Sequence, residues 1–285
     1  MQNNSDKYIA ILANSLAGSG QASIMAEKIC QQLKSKQIAY LLFQETWPNG
    51  FENFTDIFIV GGDGTLNYFI NRYPGIQLPM AVFNGGTGND FHWLLYKNQT
   101  LDEQLNNVLT AAPKPVDVGK CNELYFINGV GIGFEGEVAR ALTGKKKRPG
   151  KTSFFLTILK KVFVYRSKTY NIQSNEKNLS GKKLLVDIND GQRAGGGFHV
   201  SPEASADDGL FDIVIADALT SFRRLLYLPV IEKGRHLKLS FIHHFRVRKI
   251  TVESPEMLQF HLDGEYCEAT RLEIEIVPGA LNFLF

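Results

Sequence analysis

Cysteine is scarce in this chain of 285 residues: only Cys30, Cys121 and Cys267 occur, and they are widely separated. An odd, scattered set argues against a disulfide framework and against a paired-cysteine metal site, and it fits a reducing compartment. Long apolar runs are also missing, so no segment reads as membrane-spanning. Residues 1–7 lack the apolar core of a secretion signal, which points to a cytoplasmic protein. Strong charge of one sign is absent: the formal net charge is +2, which leaves no global footprint for nucleic acid. The histidines His199, His236, His243, His244 and His261 do not fall into a zinc spacing with the cysteines. Neither a GxxxxGK[ST] loop nor the protein-kinase motifs can be found. The remainder is an ordinary folded composition, 44% hydrophobic and 21% charged, in a length that suggests two domains.

The first part alternates strand and helix. Residues 8–13, 38–43, 57–60 and 79–83 read as short apolar strands. Ala22, Met25, Ile29 and Leu33 keep helical spacing between the first two, and residues 101–109 form a further helix. This cadence predicts a parallel sheet covered by helices, a three-layer Rossmann-like domain over residues 1–117. From residue 118 to 285 strand-like segments dominate, several with one wet face, as where Leu272, Ile274 and Ile276 alternate with Glu273 and Glu275. They predict a β-sandwich interrupted by helical insertions near 134–166 and 221–234, with a last strand that can return to the first domain.

Within the first domain, residues 59–67 (Ile-Val-Gly-Gly-Asp-Gly-Thr-Leu-Asn) end an apolar strand in three glycines around Asp63. Gly61, Gly62, Gly64 and Thr65 would bring bare backbone N–H groups and a helix N-terminus, with Thr65 near its cap, to one point, as a phosphate chain requires. A carboxylate there repels phosphate unless a cation intervenes, so Asp63 suggests a Mg²⁺–nucleotide. Taken alone, the loop fits a tight strand-to-helix turn equally well. A second loop, residues 84–91 (Asn-Gly-Gly-Thr-Gly-Asn-Asp-Phe), follows the next strand, and neighbouring parallel strands end on the same side. Thr87 and the first-strand loop residue Asn14 join this cradle, and His92 could lie near it. Gly129, Gly131 and Gly133 mimic a dinucleotide fingerprint without completing it, so a packed or bent strand is the better reading.

The two loops, together with residues 202–210 (Pro-Glu-Ala-Ser-Ala-Asp-Asp-Gly-Leu) and 262–265 (Leu-Asp-Gly-Glu), resemble in order the motifs of the bacterial diacylglycerol kinase catalytic family, soluble lipid kinases related to sphingosine and ceramide kinases. The first motif is shared with NAD kinases; the final Leu-Asp-Gly-Glu makes the combination specific. The resemblance implies ATP contacts at Thr46, Leu66 and Asn67 beside the glycines. It implies a structural Mg²⁺ held by the Asp208 carboxylate and the backbone carbonyls of Ser205 and Leu210, with Asp90 and Asp117 reaching it through water. It also implies Glu265 as the general base that takes a proton from a lipid alcohol, whereas on residues alone 262–265 is a hairpin turn with solvated acids. The product would be of the phosphatidate type, placing the enzyme in phospholipid metabolism with ATP bound between the domains. The particular lipid and a possible homodimer stay open.

A lipid substrate implies a transient visit to the inner face of the membrane. Lys145, Lys146, Lys147, Arg148 and Lys151 precede the apolar residues Phe154, Phe155, Leu156, Ile158, Leu159, Val162 and Phe163, which suits an anionic surface; the apolar side could instead bury in the domain core. Residues 222–227 form a weaker second candidate. Two other readings are an NAD kinase-like phosphotransferase and a nucleotide- or lipid-binding regulator on a kinase scaffold.

Overall fold

The computed structural model describes residues 7–143 and 151–285, with the side chains of 151–154 not described. The basic run 145–148 and the side chains of Lys151 and Phe154 therefore lie outside the described residues. The chain is a mixed α/β protein of two compact units, Met1–Val116 with Gly279–Phe285, and Asp117–Pro278.

In the first unit β1 (Tyr8–Ala13), β2 (Ala39–Phe43), β3 (Asp56–Gly61) and β4 (Met80–Asn84) run parallel in the order β4-β3-β1-β2. All six residues of β3 are buried, the pattern of a strand covered on both faces. Helix α1 (Gln21–Ser35) buries Ala22, Ala26, Ile29 and Leu33 at steps of three and four, against Ile9 and Ile11 of β1. Helix α2 (Asp63–Arg72) follows β3, α3 (Asp90–Tyr96) follows β4, and α4 (Leu101–Thr110) opens with a Thr100–Glu103 capping box. The end of the last strand also belongs here: Phe283 pairs with Met80, and the Tyr96 hydroxyl donates to the Leu284 carbonyl at 2.9 Å.

The second unit is antiparallel. After β5 (Pro113–Cys121) come β6 (Leu124–Phe126), β7 (Gly129–Gly133), α5 (Phe134–Leu142), α6 (Lys151–Val164), β8 (Lys168–Ser174) and β9 (Leu179–Asn189). Next are β10 (Phe211–Asp217), α7 (Ser221–Glu232), β11 (Ile242–Val247), β12 (Lys249–Leu262) and β13 (Glu265–Leu284). Strands β9 and β12 are long enough to pair with β8 through one half and β7 through the other. The pairings β8–β9–β7–β12–β8 thus close around a core that includes Val130, Ile132, Tyr170, Ile172, Val186, Ile188, Phe260 and Leu262. Leu272, Ile274 and Ile276 face the core, while Glu273 and Glu275 face solvent.

Helices α6 and α7 are fastened by one buried cation. The Arg224 guanidinium donates to the carbonyls of Val162 (3.1 Å), Tyr165 (2.7 Å) and Leu219 (2.9 Å). Val162 is in the last turn of α6 and Tyr165 lies just past it, where unpaired acceptors and the helix dipole favour positive charge. An Arg224→Met variant keeps the bulk but strands the acceptors; it is expected to lose about 3 kcal/mol in urea unfolding, and parent-like stability would contradict the clamp.

Candidate active site

Because the strands of the first unit are parallel, their carboxyl ends share one side. Asn14 follows β1, Thr46 lies exposed in the bend after β2, Gly61 ends β3 and the loop 85–89 follows β4. Chain order reverses between β1 and β3, the kind of switch point at which open α/β sheets take ligands. Asn14 marks it: its backbone N–H donates to the Val60 carbonyl (3.1 Å) and its side-chain amide to the Thr65 hydroxyl (3.1 Å).

Helix α2 starts at Asp63 with Gly62 as its cap residue, so Thr65 is not a cap, as the sequence pattern suggests, but a buried residue of the first turn. The Leu66 side chain is wholly buried in the core, which leaves only its backbone to a ligand. Asn67 is half-buried and accepts from the Asn71 amide, while Thr87 is exposed at the tip of the second loop. The two glycine loops touch. A Cβ on Gly86 would lie 2.4 Å from the Gly62 Cα, and the Gly85 N–H donates to the Gly61 carbonyl at 2.8 Å. Backbone packing between the loops therefore demands glycine at Gly86 before any phosphate does, and leaves little room at Gly62. In nucleotide-free protein Gly86→Ala is expected to cost about 1–3 kcal/mol by thermal unfolding. An unchanged melt would leave phosphate approach as the sole reason for that glycine.

Asp63 has a structural partner that the sequence does not disclose. Its Oδ2 accepts from the Asp90 N–H (3.0 Å) and its Oδ1 from the Phe91 N–H (2.9 Å), so the carboxylate caps α3 and joins the two loops. Each oxygen keeps a lone-pair direction for a cation. His92, from the same helix, is buried rather than open to a nucleotide. Its Nε2–H donates to Gln104 Oε1 at 3.0 Å, Gln104 in turn holds the Val82 carbonyl, and burial keeps the imidazole below its usual pKa.

In the second unit the turn between β12 and β13 is built around Asp263. Its carboxylate accepts from the N–H groups of Ile127 (2.9 Å), Asn128 (2.8 Å) and Gly129 (3.0 Å), while its own N–H donates to the Gly129 carbonyl. Gly264 takes φ +90°, which its lack of a Cβ allows, and its N–H donates to His261 Nδ1 at 3.2 Å. That bond places the imidazole proton on Nε2, 3.1 Å from Glu135 Oε2. Glu265, the next residue, opens β13 with an exposed side chain that makes no hydrogen bond or ion pair among the described residues. The acids of this turn thus have separate tasks: Asp263 anchors, Glu265 projects.

The loop proposed for Mg²⁺ lies nearby. Asp117 Oδ2 accepts from the Gly209 N–H (2.6 Å), the Asp117 N–H donates to the Ala206 carbonyl (2.8 Å), and Asp208 Oδ1 accepts from the Leu210 N–H (3.0 Å). The Ser205 hydroxyl donates to Asp207 Oδ1 at 2.5 Å. Sequence reasoning missed Asp190, because Asn-Asp-Gly reads as a plain turn. Asp190 is 0% exposed, and among the described residues neither carboxyl oxygen has a hydrogen-bond partner. Burial first, then the charges of Asp117, Asp208, Asp263 and Asp207, push it well above the usual carboxylate range. Among the described residues no three acidic, histidine or cysteine side chains form a ready cage, so a cation here would depend on backbone carbonyls. The surplus of negative charge around an orphaned carboxyl fits a hard divalent ion held by Asp208 and the carbonyls of Ser205 and Leu210.

A carboxyl whose folded pKa exceeds the ordinary 3.8 ionises first in the unfolded chain, so in chelator its contribution to stability falls as pH rises from there. Asp190→Asn is therefore expected to raise the metal-free melting temperature at neutral pH, with the gain fading toward pH 4 (about the ordinary aspartate pKa). It should also shrink the further rise that Mg²⁺ produces in the parent. A lowered metal-free melt would show that the charge is compensated.

Comparison with known proteins agrees with this layout. Residues 8–121 match the diacylglycerol kinase catalytic domain, and residues 128–285 match the YegS C-terminal NAD kinase beta sandwich-like domain. A Shewanella frigidimarina protein named "Probable lipid kinase YegS-like" is 28% identical over 239 residues, 82% of this chain and 77% of that protein. A protein of the same name from Chromohalobacter salexigens is 28% identical over 228 residues, 78% of this chain and 73% of that protein. The crystal structure of a diacylglycerol kinase from Bacillus anthracis superposes with a TM-score of 0.73 at 20% identity, covering 100% of this chain and 98% of that one. An NAD kinase from Archaeoglobus fulgidus, solved with ATP, superposes at 0.55 with 14% identity, covering 98% and 93% of the two chains. At these identities the structures show a shared fold. The two consecutive domain matches span nearly the whole chain, and the chain belongs to the diacylglycerol kinase-like family of lipid kinases.

Proposed function

We propose that this kinase transfers the γ-phosphate of ATP to the hydroxyl of a diacylglycerol-like lipid, with Glu265 as general base and Mg²⁺ as cofactor. The observation that carries this reading is the turn at 262–265: Asp263 binds three backbone N–H groups, and the next acid, Glu265, presents a side chain without a partner among the described residues. A base must be both available and held, and this turn supplies each condition through a different residue. The phosphates of the nucleotide would meet the N–H groups that open α2, beside Asn14 and Thr65, with Asp63 and Thr87 at the rim of the same site. Thr46, in the bend after β2, would border the nucleoside. Bound Mg²⁺ supplies charge neutralisation at the phosphates, and at the second position Asp208 with the carbonyls of Ser205 and Leu210 would hold a structural ion. Catalysis would otherwise rest on positioning, since phosphoryl transfer needs little covalent help. The enzyme would act from the cytoplasm at the inner membrane face and feed phospholipid synthesis.

Glu265→Gln is the direct test. Because the side chain is exposed and unpaired, the melting temperature should not move, while turnover of diacylglycerol with Mg-ATP falls about 10²–10⁴-fold. Near-parent kcat would refute the base. Parallel assays with NAD as acceptor separate this reading from the NAD kinase-like one, and ATP binding without transfer to any acceptor would favour a regulator.

A further inference from the structure

Outside the candidate site, the paired helices α6 and α7 carry apolar side chains that the fold leaves uncovered. On α6 the buried face is Ile158 and Val162, continued by Tyr165 just past its end; Leu156, Lys160, Phe163 and Val164 follow at steps of three and four on the opposite arc, with Phe163 61% exposed. On α7 the only buried residue is Arg224. Phe222, Leu225 and Leu226 point away from it, and Phe222 is 75% exposed. The two arcs adjoin, because the Arg224 clamp and a Ser221 hydroxyl 3.5 Å from the Phe163 carbonyl hold the end of α6 against the start of α7. Clustered exposure of this kind on two neighbouring helices marks a contact surface rather than scattered surface leucines.

Charge decides what covers it. Between Glu137 and Glu176 the sequence has ten lysines and arginines and no acid, and between Asp217 and Glu232 it has two arginines and no acid, in a chain whose total is only +2. Lys160, Arg166 and Arg223 stand exposed on or beside the apolar arcs. Lys161, on the other side of α6, is neutralised by Glu137 at 2.7 Å. A second copy of the chain would set these cations against one another. A protein groove would more often bring the mixed charges of an ordinary interface. Among the described residues no helix is long and apolar enough to cross a membrane, so access to lipid must come from a face that lies on the bilayer.

We infer that the exposed arcs of α6 and α7 dock on an anionic lipid bilayer, with Phe163, Phe222 and Leu226 entering the acyl boundary and Lys160, Arg166 and Arg223 meeting lipid phosphates. The inference rests on the lipid-kinase assignment but not on any catalytic residue.

Sedimentation with vesicles of phosphatidylcholine, alone or with about one-third phosphatidylglycerol, tests it. The parent is expected to sediment with the anionic vesicles and to be released by high salt. Phe222→Asp should weaken binding at least about tenfold and Arg223→Glu about fivefold, each with an unchanged melt. Leu124→Asp, at an exposed apolar position on β6 away from these helices, should bind like the parent. Failure of the parent to bind, or equal binding by Phe222→Asp, overturns the surface. So does light scattering that finds a parent dimer which Phe222→Asp splits, because the face then belongs to a second copy. Phosphate transfer to lipids dispersed in detergent micelles needs no bilayer. Its failure alongside intact vesicle binding would count against the proposed reaction and not against this surface.

Discussion

Backbone N–H groups captured by a carboxylate organise both signature loops. In the first unit Asp63 takes two from the start of α3; in the second Asp263 takes three from the entry to β7. An ionised carboxylate is a strong acceptor, and amides gathered at one point form a concave site that selects for it. Neutral residues of similar shape would leave donors stranded or offer half the acceptor capacity. The aspartates thus convert flexible glycine turns into fixed ones. The hinge-like character of Gly62, Gly86 and Gly264 is cancelled by bonds that arrive from sequence-distant backbone.

The same carboxylate chemistry has the opposite sign at Asp190. There the oxygens receive no donor and four other acids contribute repulsion, so the site is electrostatically incomplete in isolation. One unit therefore holds a fully satisfied acid in Asp263, an unpaired exposed one in Glu265 and an unpaired buried one in Asp190. Solvent separates the last two: Glu265 is exposed, whereas burial disfavours a charge on Asp190 until a cation offsets it.

Much of this architecture was visible in residue order. Short apolar strands alternating with helical spacing produce the parallel sheet, because a strand buried on both faces leaves an uninterrupted apolar run, as β3 does. The Thr100–Glu103 box marks α4 locally. What stayed hidden depended on distance in sequence. The capping role of Asp63 was hidden because its partners, the amides of Asp90 and Phe91, lie in another loop. Thr65 looked like a cap because the start of a helix is set by backbone geometry that Gly62 supplies without a side-chain signal. The apolar run of α6 looked as much like core as surface, and the structure divides it: Ile158 and Val162 are buried while Leu156 and Phe163 are exposed. No local pattern separates the two faces until α7 is seen to be fastened beside it.

Strand β13 begins at Glu265 in one unit and ends at Leu284 in the other, where residues 279–285 belong with β4 and α3. The sheet that holds residues 8–13 is therefore completed by residues that follow the whole antiparallel unit in the chain. A growing chain must hold β4 and its neighbours without that partner while the antiparallel unit between them is synthesised. Until residues 279–285 arrive, the flank of β4 is an unpaired strand edge, a site open to misassembly during synthesis.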